Sequence, residues 1–296
     1  MRLRAGAEDA GTRLDAFLAG PLGSRARAQR LIEDGAVQVD GALVPKRHRG
    51  AEGETVTVEL PPEAPAEPAA PPADVAIRYR DGDLLVVDKP AGVVVHPARG
   101  HRTGTLAQAL ADVAAGGEEG RAGIVHRLDR DTSGLLVVAR SPEAHRRLKA
   151  ALQRREIARE YLALVEGRPP ARSGTIDAPI GRDRRVRPRM STDTDDPREA
   201  LTHFAIEEAL PRTTLLRVRL ETGRTHQIRV HLQTIGHPVA GDPEYGSAGR
   251  LGLERQFLHA ARLRFAQPFD GAPVDVASPL PDDLAEALER ARAETP

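Results

Sequence analysis

The chain has 296 residues, of which 40% are hydrophobic, and this is enough for one small and one large folded domain. It has no cysteine, which excludes disulfides, thiolate catalysis and cysteine-bound zinc, and no run of about 18 apolar residues, so we expect a cytoplasmic protein that stays out of membranes. The 43 basic and 43 acidic residues cancel, so the total charge gives no sign of a polyanionic partner.

The first 60 residues have the pattern of a small domain. Leu14, Phe17 and Leu18 have the spacing of one helix face, and a second helix is predicted between the capping residue Ser24 and the stop residue Gly35. Short strand patterns follow at 37–39, 43–44 and 55–58. Helices, loop and strands in this order resemble the small RNA-binding domain named after ribosomal protein S4.

That resemblance implies that the small domain contacts RNA. The candidate side chains are basic residues of the second helix and of a connecting loop, namely Arg25, Arg27, Arg30, Lys46 and Arg47. Positions 1–60 hold as many acidic as basic residues, so a basic face must be local. A purely structural domain with scattered charge is the alternative.

A proline-rich segment separates this domain from the rest of the chain. Six prolines and no large apolar residue occur between positions 61 and 72, which is typical of an extended, semi-stiff spacer. We therefore predict a domain at 1–60, a linker at 61–74 and a larger domain at 75–296.

The larger domain mixes strand and helix patterns, which predicts an α+β fold. Helices are expected to begin at Ser141, which can cap a helix with proline in its first turn, and at Thr225, before an apolar stripe that includes Ile228 and Leu232. Short apolar runs predict strands at 84–87, 93–95, 124–125, 135–139 and 161–165.

The segment His126–Leu135 concentrates charge between two apolar runs, so it should be a loop at a sheet edge. Arg127 and Arg130 lie within two positions of Asp129 and favour its ionised form, as a nucleophile requires. Taken alone, this pattern is equally typical of a structural ion pair. Between Arg121 and Glu160 there are ten basic and five acidic residues, so the local charge suits a polyanion despite the neutral total.

The segment Arg121–Gly134 resembles the active-site signature of the RluA/RluD-type pseudouridine synthases. Further blocks resemble the same family in the same order, namely Asp88–Pro90 with His96–Pro97, Arg159–Tyr161, Gly223–His231 and Gly241–Gly246. The resemblance, closest to the RluD-like branch, implies a catalytic domain with a largely antiparallel mixed central sheet and flanking helices. It also implies isomerisation of specific uridines to pseudouridine, in large-subunit (23S) ribosomal RNA.

The same resemblance implies roles for four residues. Asp129 is the nucleophile that acts while uracil is detached from its ribose, and Arg229 is the arginine that pairs with it. Tyr161 packs on uracil and assists deprotonation at carbon 5. Arg127 fills the gap left by the extruded base, although it could equally bind phosphate. Without the motif matches, Tyr161 would be taken for a core residue and Arg229 for a surface residue of a helix.

Two other functions stay open. Asp129 and Asp131 could hold magnesium in a metal-dependent RNA-processing enzyme, and a non-catalytic ribosome-assembly factor could keep both domains. His226 and His231 are five positions apart, about 140° around a helix, and do not match the zinc-binding pair of metalloproteases. No glycine-rich nucleotide motif is present, so we expect no nucleotide cofactor. We also expect no other cofactor, no metal and a monomer. The arginine-rich stretch Arg182–Arg189 is either an RNA contact or an exposed loop.

Overall fold

The computed structural model describes residues 1–60, 75–97, 103–117, 123–186 and 189–295. The chain forms two compact units, Met1–Pro68 and Ala69–Pro296. The predicted linker at 61–74 lies outside the described residues, as do Arg121 and Ala122 of the signature segment and positions 187–188 of the arginine-rich stretch.

The first unit is a four-stranded antiparallel sheet with two helices packed on it. Its elements are β1 (Arg2–Arg4), α1 (Leu14–Phe17), α2 (Arg25–Glu33), β2 (Val37–Val39), β3 (Ala42–Leu43) and β4 (Thr55–Val58), with strand order β1-β4-β2-β3. The two predicted helices are confirmed, and the Ser24 hydroxyl accepts a hydrogen bond from the Arg27 amide as the N-cap. Leu14, Leu18 and Ile32 pack into one apolar core with the strands. β1 was not predicted.

The second unit is built on a nine-stranded mixed sheet. Its strands are β5 (Ala76–Arg80), β6 (Leu84–Lys89), β7 (Ser133–Ala139), β8 (Ala158–Glu166), β9 (Ser173–Asp177), β10 (Gly181–Arg182), β11 (Met190–Ser191), β12 (Leu201–Ala209), β13 (Thr213–Leu220), β14 (Leu258–Ala266) and β15 (Pro273–Ala277). The large sheet has the order β5-β6-β7-β14-β8-β13-β12-β9, β15 pairs with β14, and β10 with β11 form a separate hairpin. Only the pairing of β7 with β14 is parallel among the described strands, so the predicted α+β fold with a largely antiparallel mixed sheet is confirmed.

Helices cover both faces of the sheet at its centre. They are α3 (Leu106–Ala109), α4 (Pro142–Gln153), α5 (Gln227–Thr234) and α6 (Asp282–Arg292). Leu135 and Val137 of β7 pack in one core cluster with α4, while Leu136 and Val138 pack in the other cluster with α3, α5 and α6. Because β7 is buried on both faces, it reads as a continuous apolar run, and the loop before it has a rigid base.

Three local predictions were wrong. Residues 93–95 form no strand, because the carbonyl groups of Val94 and Val95 accept hydrogen bonds from the first turn of α3 instead of from a neighbouring strand. Residues 124–125 make only an isolated bridge to Val138. α5 is preceded by His226, with φ of 56°, rather than by a Thr225 cap.

The strand β14 brings the sequence motifs together. Ala260 is the register partner of Gly134 on β7 and of Tyr161 on β8. The part of the signature segment that precedes β7, residues 123–132, is called the signature loop below. This loop and Tyr161 on β8 are about a hundred residues or more from Ala260 in sequence, yet their strands flank Ala260 in the sheet. This arrangement sets one end of the signature loop close to Tyr161.

Candidate active site

A cleft of about 780 Å³ opens among β8, α4, α5 and the signature loop. Its lining contains all four side chains for which a part in the reaction is predicted, namely Arg127, Asp129, Tyr161 and Arg229. Further basic side chains on the lining are Lys149, Arg155, Arg159 and Arg224. Guanidinium groups bind phosphate oxygens in a forked geometry, so this wall suits a nucleic acid backbone.

The side chain of Lys89 binds the signature loop. The side chain of Lys89 is fully buried, and its Nζ donates hydrogen bonds to the carbonyl oxygens of Pro90 at 2.7 Å, Val93 at 2.9 Å and Arg130 at 2.8 Å. Burial lowers the pKa of Lys89 to about 7, although the carboxylates of Asp131 and Asp129 oppose this decrease. One buried ammonium therefore ties the loop to the turn after β6.

Residues in and just before β14 bind the loop residues that follow Arg130. Arg255 donates to the Asp131 carbonyl at 3.0 Å, and Gln256 donates to the Thr132 hydroxyl at 3.1 Å. The Ser133 hydroxyl lies 3.0 Å from His259 Nδ1. These contacts fix residues 130–133, which directly follow Asp129, and the Asp129 carbonyl itself accepts a hydrogen bond from the Thr132 amide at 3.2 Å.

Asp129 faces the guanidinium of Arg229. The Asp129 Oδ2 and Arg229 Nη1 are 3.5 Å apart, and the side chain of Asp129 keeps 17% of its surface exposed to the cleft. Arg130 instead pairs with Asp131, with Nη2 to Oδ2 at 2.8 Å, so its expected support of Asp129 is not found. At 3.5 Å the contact is long for a charged hydrogen bond, and the carboxylate is oriented without being locked.

Arg229 is itself held mainly by Asp242. The Nε and Nη2 atoms of Arg229 donate to the two carboxylate oxygens of Asp242 at 2.7 and 2.9 Å, and Glu244 lies 3.3 Å from Nη2. Burial would lower the pKa of Arg229, but Asp242, Asp129 and Glu244 together raise it above its ordinary value. The arginine is therefore permanently charged and fixed in direction before any substrate arrives.

Tyr161 lies in the floor of the cleft, 5% exposed. Burial raises its pKa, the Arg159 guanidinium opposes this, and the Asp129 carboxylate adds to it. The phenol is therefore protonated at neutral pH. Arg159 is buried behind it and donates to the carbonyl groups of Glu221 and Thr222, both at 3.3 Å. A Cβ on Gly223 would come within 2.9 Å of Arg159 Nη1, so a larger residue there would displace the end of the Arg159 side chain.

Asp129 and Asp131 do not act as a pair. Asp131 is bound to Arg130 and Asp129 faces Arg229, so the two carboxylates do not converge on one point as magnesium ligands would. In the described part of the chain, no group of three or more His, Asp or Glu side chains is arranged to hold a metal ion.

The predicted RNA contacts of the first unit differ in their surroundings. Arg25 is half exposed and donates to the buried carboxylate of Asp15 at 3.1 Å, and Lys46 pairs with Glu33 at 2.6 Å. Arg27, Arg30 and Arg47 are exposed, and Arg30 has a polar partner of its own. Burial raises the pKa of Asp15, but Arg13, Gln29 and Arg25 bonded to it lower the pKa well below its usual range.

The residues that hold the proposed site residues in place were not predicted. The Asp88–Pro90 and Gly241–Gly246 blocks resemble family motifs, but the sequence pattern alone assigned no role to Lys89, Asp242 or Tyr245 inside them. Sequence proximity to Asp129 pointed to Arg127 and Arg130, whereas the ion pair of Asp129 is 100 positions away. The available signal was a lysine or an aspartate within a short motif beside proline.

Comparison with known proteins identifies the family. A family model described as RNA pseudouridylate synthase matches residues 83–234. The chain belongs to this family. The pseudouridine synthase is therefore an isomerase that acts on RNA, and the predicted resemblance is confirmed.

A second model, the S4 domain, matches residues 12–46 of this pseudouridine synthase. The enzyme is 44% identical to an uncharacterized RNA pseudouridine synthase of Bacillus subtilis over 98% of this chain and 97% of that one. It is 43% identical to ribosomal large subunit pseudouridine synthase D of Pseudomonas aeruginosa, over 95% and 92% of the two chains.

Solved structures agree with this assignment. The human RNA pseudouridylate synthase domain containing 1 matches with a TM-score of 0.56 and 29% identity, covering 77% of this chain and 98% of that one.

In the described part of the pseudouridine synthase, no helix is both long and apolar enough to cross a bilayer.

Proposed function

We propose that this pseudouridine synthase isomerises specific uridines of large-subunit ribosomal RNA, with Asp129 as the nucleophile. The observation that carries the proposal is the placement of one partly exposed carboxylate, Asp129, opposite a charged arginine that a second carboxylate already fixes. Such an arrangement leaves the Asp129 carboxyl group accessible from the cleft and places a fixed positive charge beside it. The ribosomal target is supported by relatives named ribosomal large subunit pseudouridine synthase D, at 41 to 44% identity.

The reaction breaks the bond between ribose C1′ and uracil N1 and forms one between C1′ and C5. The proton on C5 is lost and N1 regains a proton, so substrate and product have the same composition and no redox partner is consumed. Asp129 acts while the base is detached. Arg229 holds the carboxylate and balances its charge.

Tyr161 is proposed to pack on the detached uracil. Its buried ring offers a flat surface, and its raised pKa keeps the phenol protonated. The protons balance if the phenol gives its own proton to N1 of the detached uracil and then takes the proton from C5. The Asp129 carboxylate raises the pKa of the phenol and so favours the form that holds the proton.

Arg127 is exposed on the cleft lining and is proposed to fill the stack that the target base leaves. The S4 domain supplies affinity through Arg25, Arg27, Arg30, Lys46 and Arg47. We keep the layout of domain 1–60, linker 61–74 and catalytic domain 75–296 as part of the proposal, together with a monomer that works in the cytoplasm, where ribosomal RNA is made in bacteria.

The test is tritium release from large-subunit ribosomal RNA transcribed with uridine labelled at C5. We expect release by the wild type and a decrease of more than about 10⁴-fold for Asp129→Asn. Asp131→Asn, in the same loop, is the matched control and should stay active. Release that survives in Asp129→Asn would refute the nucleophile, and release abolished by a chelator would favour a metal-dependent enzyme instead. Mapping pseudouridines in ribosomal RNA from cells without the protein tests the target.

A further inference from the structure

The arginine-rich stretch Arg182–Arg189 has no part in the chemistry above. Its described residues, 182–186 and 189, belong to the small hairpin of β10 and β11, in which Gly181 is the register partner of Ser191 and Arg182 that of Met190. Arg184 and Arg185 are exposed, and the Val186 side chain is exposed as well. With only two residue pairs, this hairpin cannot be stable by itself and depends on what it packs against.

Tyr245 contacts the hairpin from the catalytic domain. The Met190 amide donates a hydrogen bond to the Tyr245 hydroxyl at 3.0 Å, and the guanidinium carbon of Arg189 lies over the tyrosine ring, 4.6 Å from its centroid. Tyr245 is 5% exposed and shares a small apolar cluster with Ile180 and Val230, with Met190 packed against it. The hairpin strand β11 is thus attached to a buried side chain of the catalytic domain.

The same tyrosine also contacts Arg229. The guanidinium carbon of Arg229 lies over the Tyr245 ring, 4.8 Å from its centroid, and the Tyr245 amide donates to Asp242 Oδ1 at 3.1 Å, on the carboxylate that holds Arg229. The Tyr245 hydroxyl lies 2.9 Å from Nδ1 of His226, the residue that precedes α5. A movement of this ring would therefore disturb the position of Arg229, and the reverse also holds.

We propose that Tyr245 is a positioning residue that couples the β10–β11 hairpin to Arg229, so that RNA phosphate bound by the hairpin fixes the orientation of Arg229 toward Asp129. The inference rests on the proposed function, because it assigns Arg229 to the orientation of Asp129. Arg185 is exposed on the hairpin, whereas Arg184 is exposed but pairs with Asp193 at 3.3 Å and Asp195 at 2.9 Å, so Arg185 is the guanidinium group that we assign to the phosphate. The ring and hydroxyl of Tyr245 are the shared contact between the hairpin and the catalytic arginine.

The experiment is a double-mutant cycle in the full-length protein, with single-turnover tritium release from the labelled ribosomal RNA transcript. Tyr245→Phe keeps the ring over Arg229 and removes the hydroxyl that accepts from Met190. We expect its maximal rate at saturating RNA to fall about threefold to tenfold, as for one lost hydrogen bond. Arg185→Ala should weaken RNA binding and lower the maximal rate.

Coupling predicts that the two substitutions are not additive. In the Tyr245→Phe background, Arg185→Ala should still weaken binding but no longer lower the maximal rate. Arg146→Ala, an exposed arginine on α4 that pairs with Glu143, removes the same charge elsewhere and should leave the maximal rate unchanged.

Additive effects on the maximal rate, or an unchanged rate in Tyr245→Phe, would overturn the coupling while leaving the proposed function intact. Failure of the wild type to release tritium, by contrast, would refute the proposed function and the coupling together. Thermal unfolding of each variant shows whether a change in rate reflects loss of the folded state.

Discussion

At the scale of single residues, the charge balance of the cleft depends on Arg229. One guanidinium contacts three carboxylates, and the shortest two contacts go to Asp242 rather than to Asp129. The arginine therefore has two separate parts. The Nε and Nη2 atoms bind Asp242, which fixes the orientation of the guanidinium group, and the Nη1 atom faces Asp129.

This division predicts the effect of Asp242→Asn. Removal of the buried charge leaves Arg229 without its main partner, so it should turn toward Asp129 or Glu244 and misplace the nucleophile. We expect the rate of tritium release to fall about 10²-fold to 10³-fold and the protein to lose about 3 kcal/mol of stability, as for other broken buried ion pairs. Single-turnover kinetics and urea unfolding measure the two effects.

Glu244→Gln is the control, because Glu244 is a third exposed and contacts the same Nη2 atom at 3.3 Å. A rate decrease as large as that of Asp242→Asn would show that total negative charge, and not the fixed direction of Arg229, is what matters.

The shared location of the four proposed site residues could be predicted from sequence, because each lies in a short motif that resembles a family block, and all four line one cleft. Their physical partners could not. Arg130 is adjacent to Asp131 and turns to it, so closeness in sequence to Asp129 did not predict contact. Asp242 follows α5 and a turn, and nothing local shows that it folds back onto Arg229, 13 positions earlier.

Among the elements of the fold, the signature loop is held to the turn after β6 by the hydrogen bonds of Lys89. The folded-state pKa of Lys89 is about 7, whereas the ordinary value is 10.5. Between these values the unfolded chain binds the proton and the folded protein does not, so this group makes stability rise as the pH increases from 7 to 10.5. Below pH 7 the lysine is charged in both states, and the whole cost of burying its charge is subtracted from the free energy of unfolding.

Lys89→Met should remove this dependence. We expect the stability of the wild type relative to Lys89→Met to increase across pH 7 to 10, by up to a few kcal/mol. Urea unfolding at several pH values measures it. Parallel stability curves for the two proteins would contradict a lowered pKa, and Arg154→Met on the surface controls for the loss of one positive charge.

Gly134 fixes the junction of β7 and β14. Its φ is 111°, and a Cβ there would lie 2.7 Å from the Ala260 nitrogen and closer still to its carbonyl oxygen. Gly134→Ala should therefore destabilise the protein by more than about 4 kcal/mol or prevent its folding. Gly92→Ala, at φ of 83° with open space around it, should cost about 1 to 2 kcal/mol. Similar melting temperatures for the two variants would refute the steric explanation.

Elements with local signals were predicted well. α2 and α4 have serine caps, and their boundaries follow from those caps. The failures at 93–95 and 124–125 are short apolar runs, which are buried or half-buried in this fold without forming strands. Burial and strand pairing leave the same mark on a three-residue run, so tertiary packing decides between them.

At the scale of the whole molecule, a neutral total charge coexists with local basic surfaces. Arg27 and Arg47 are exposed in the S4 domain, and their contact with phosphate should appear as salt dependence of RNA binding. In the full-length double variant Arg27→Ala and Arg47→Ala, we expect the slope of log affinity against log salt to decrease by about 1.4 to 1.8. Filter binding from 50 to 300 mM salt measures it, with the Arg292→Ala variant on α6 as control; an unchanged slope would exclude both arginines as contacts.

The position of β14 has a consequence for the synthesis of the enzyme. This strand follows β7 and β8 in sequence by about 90 residues or more, but it lies between them in the sheet. A nascent chain that has been synthesised only as far as residue 250 therefore contains Asp129 and Tyr161 but lacks the strand between their two elements. The cleft should form only after residues 258–266 have emerged from the ribosome and inserted between β7 and β8.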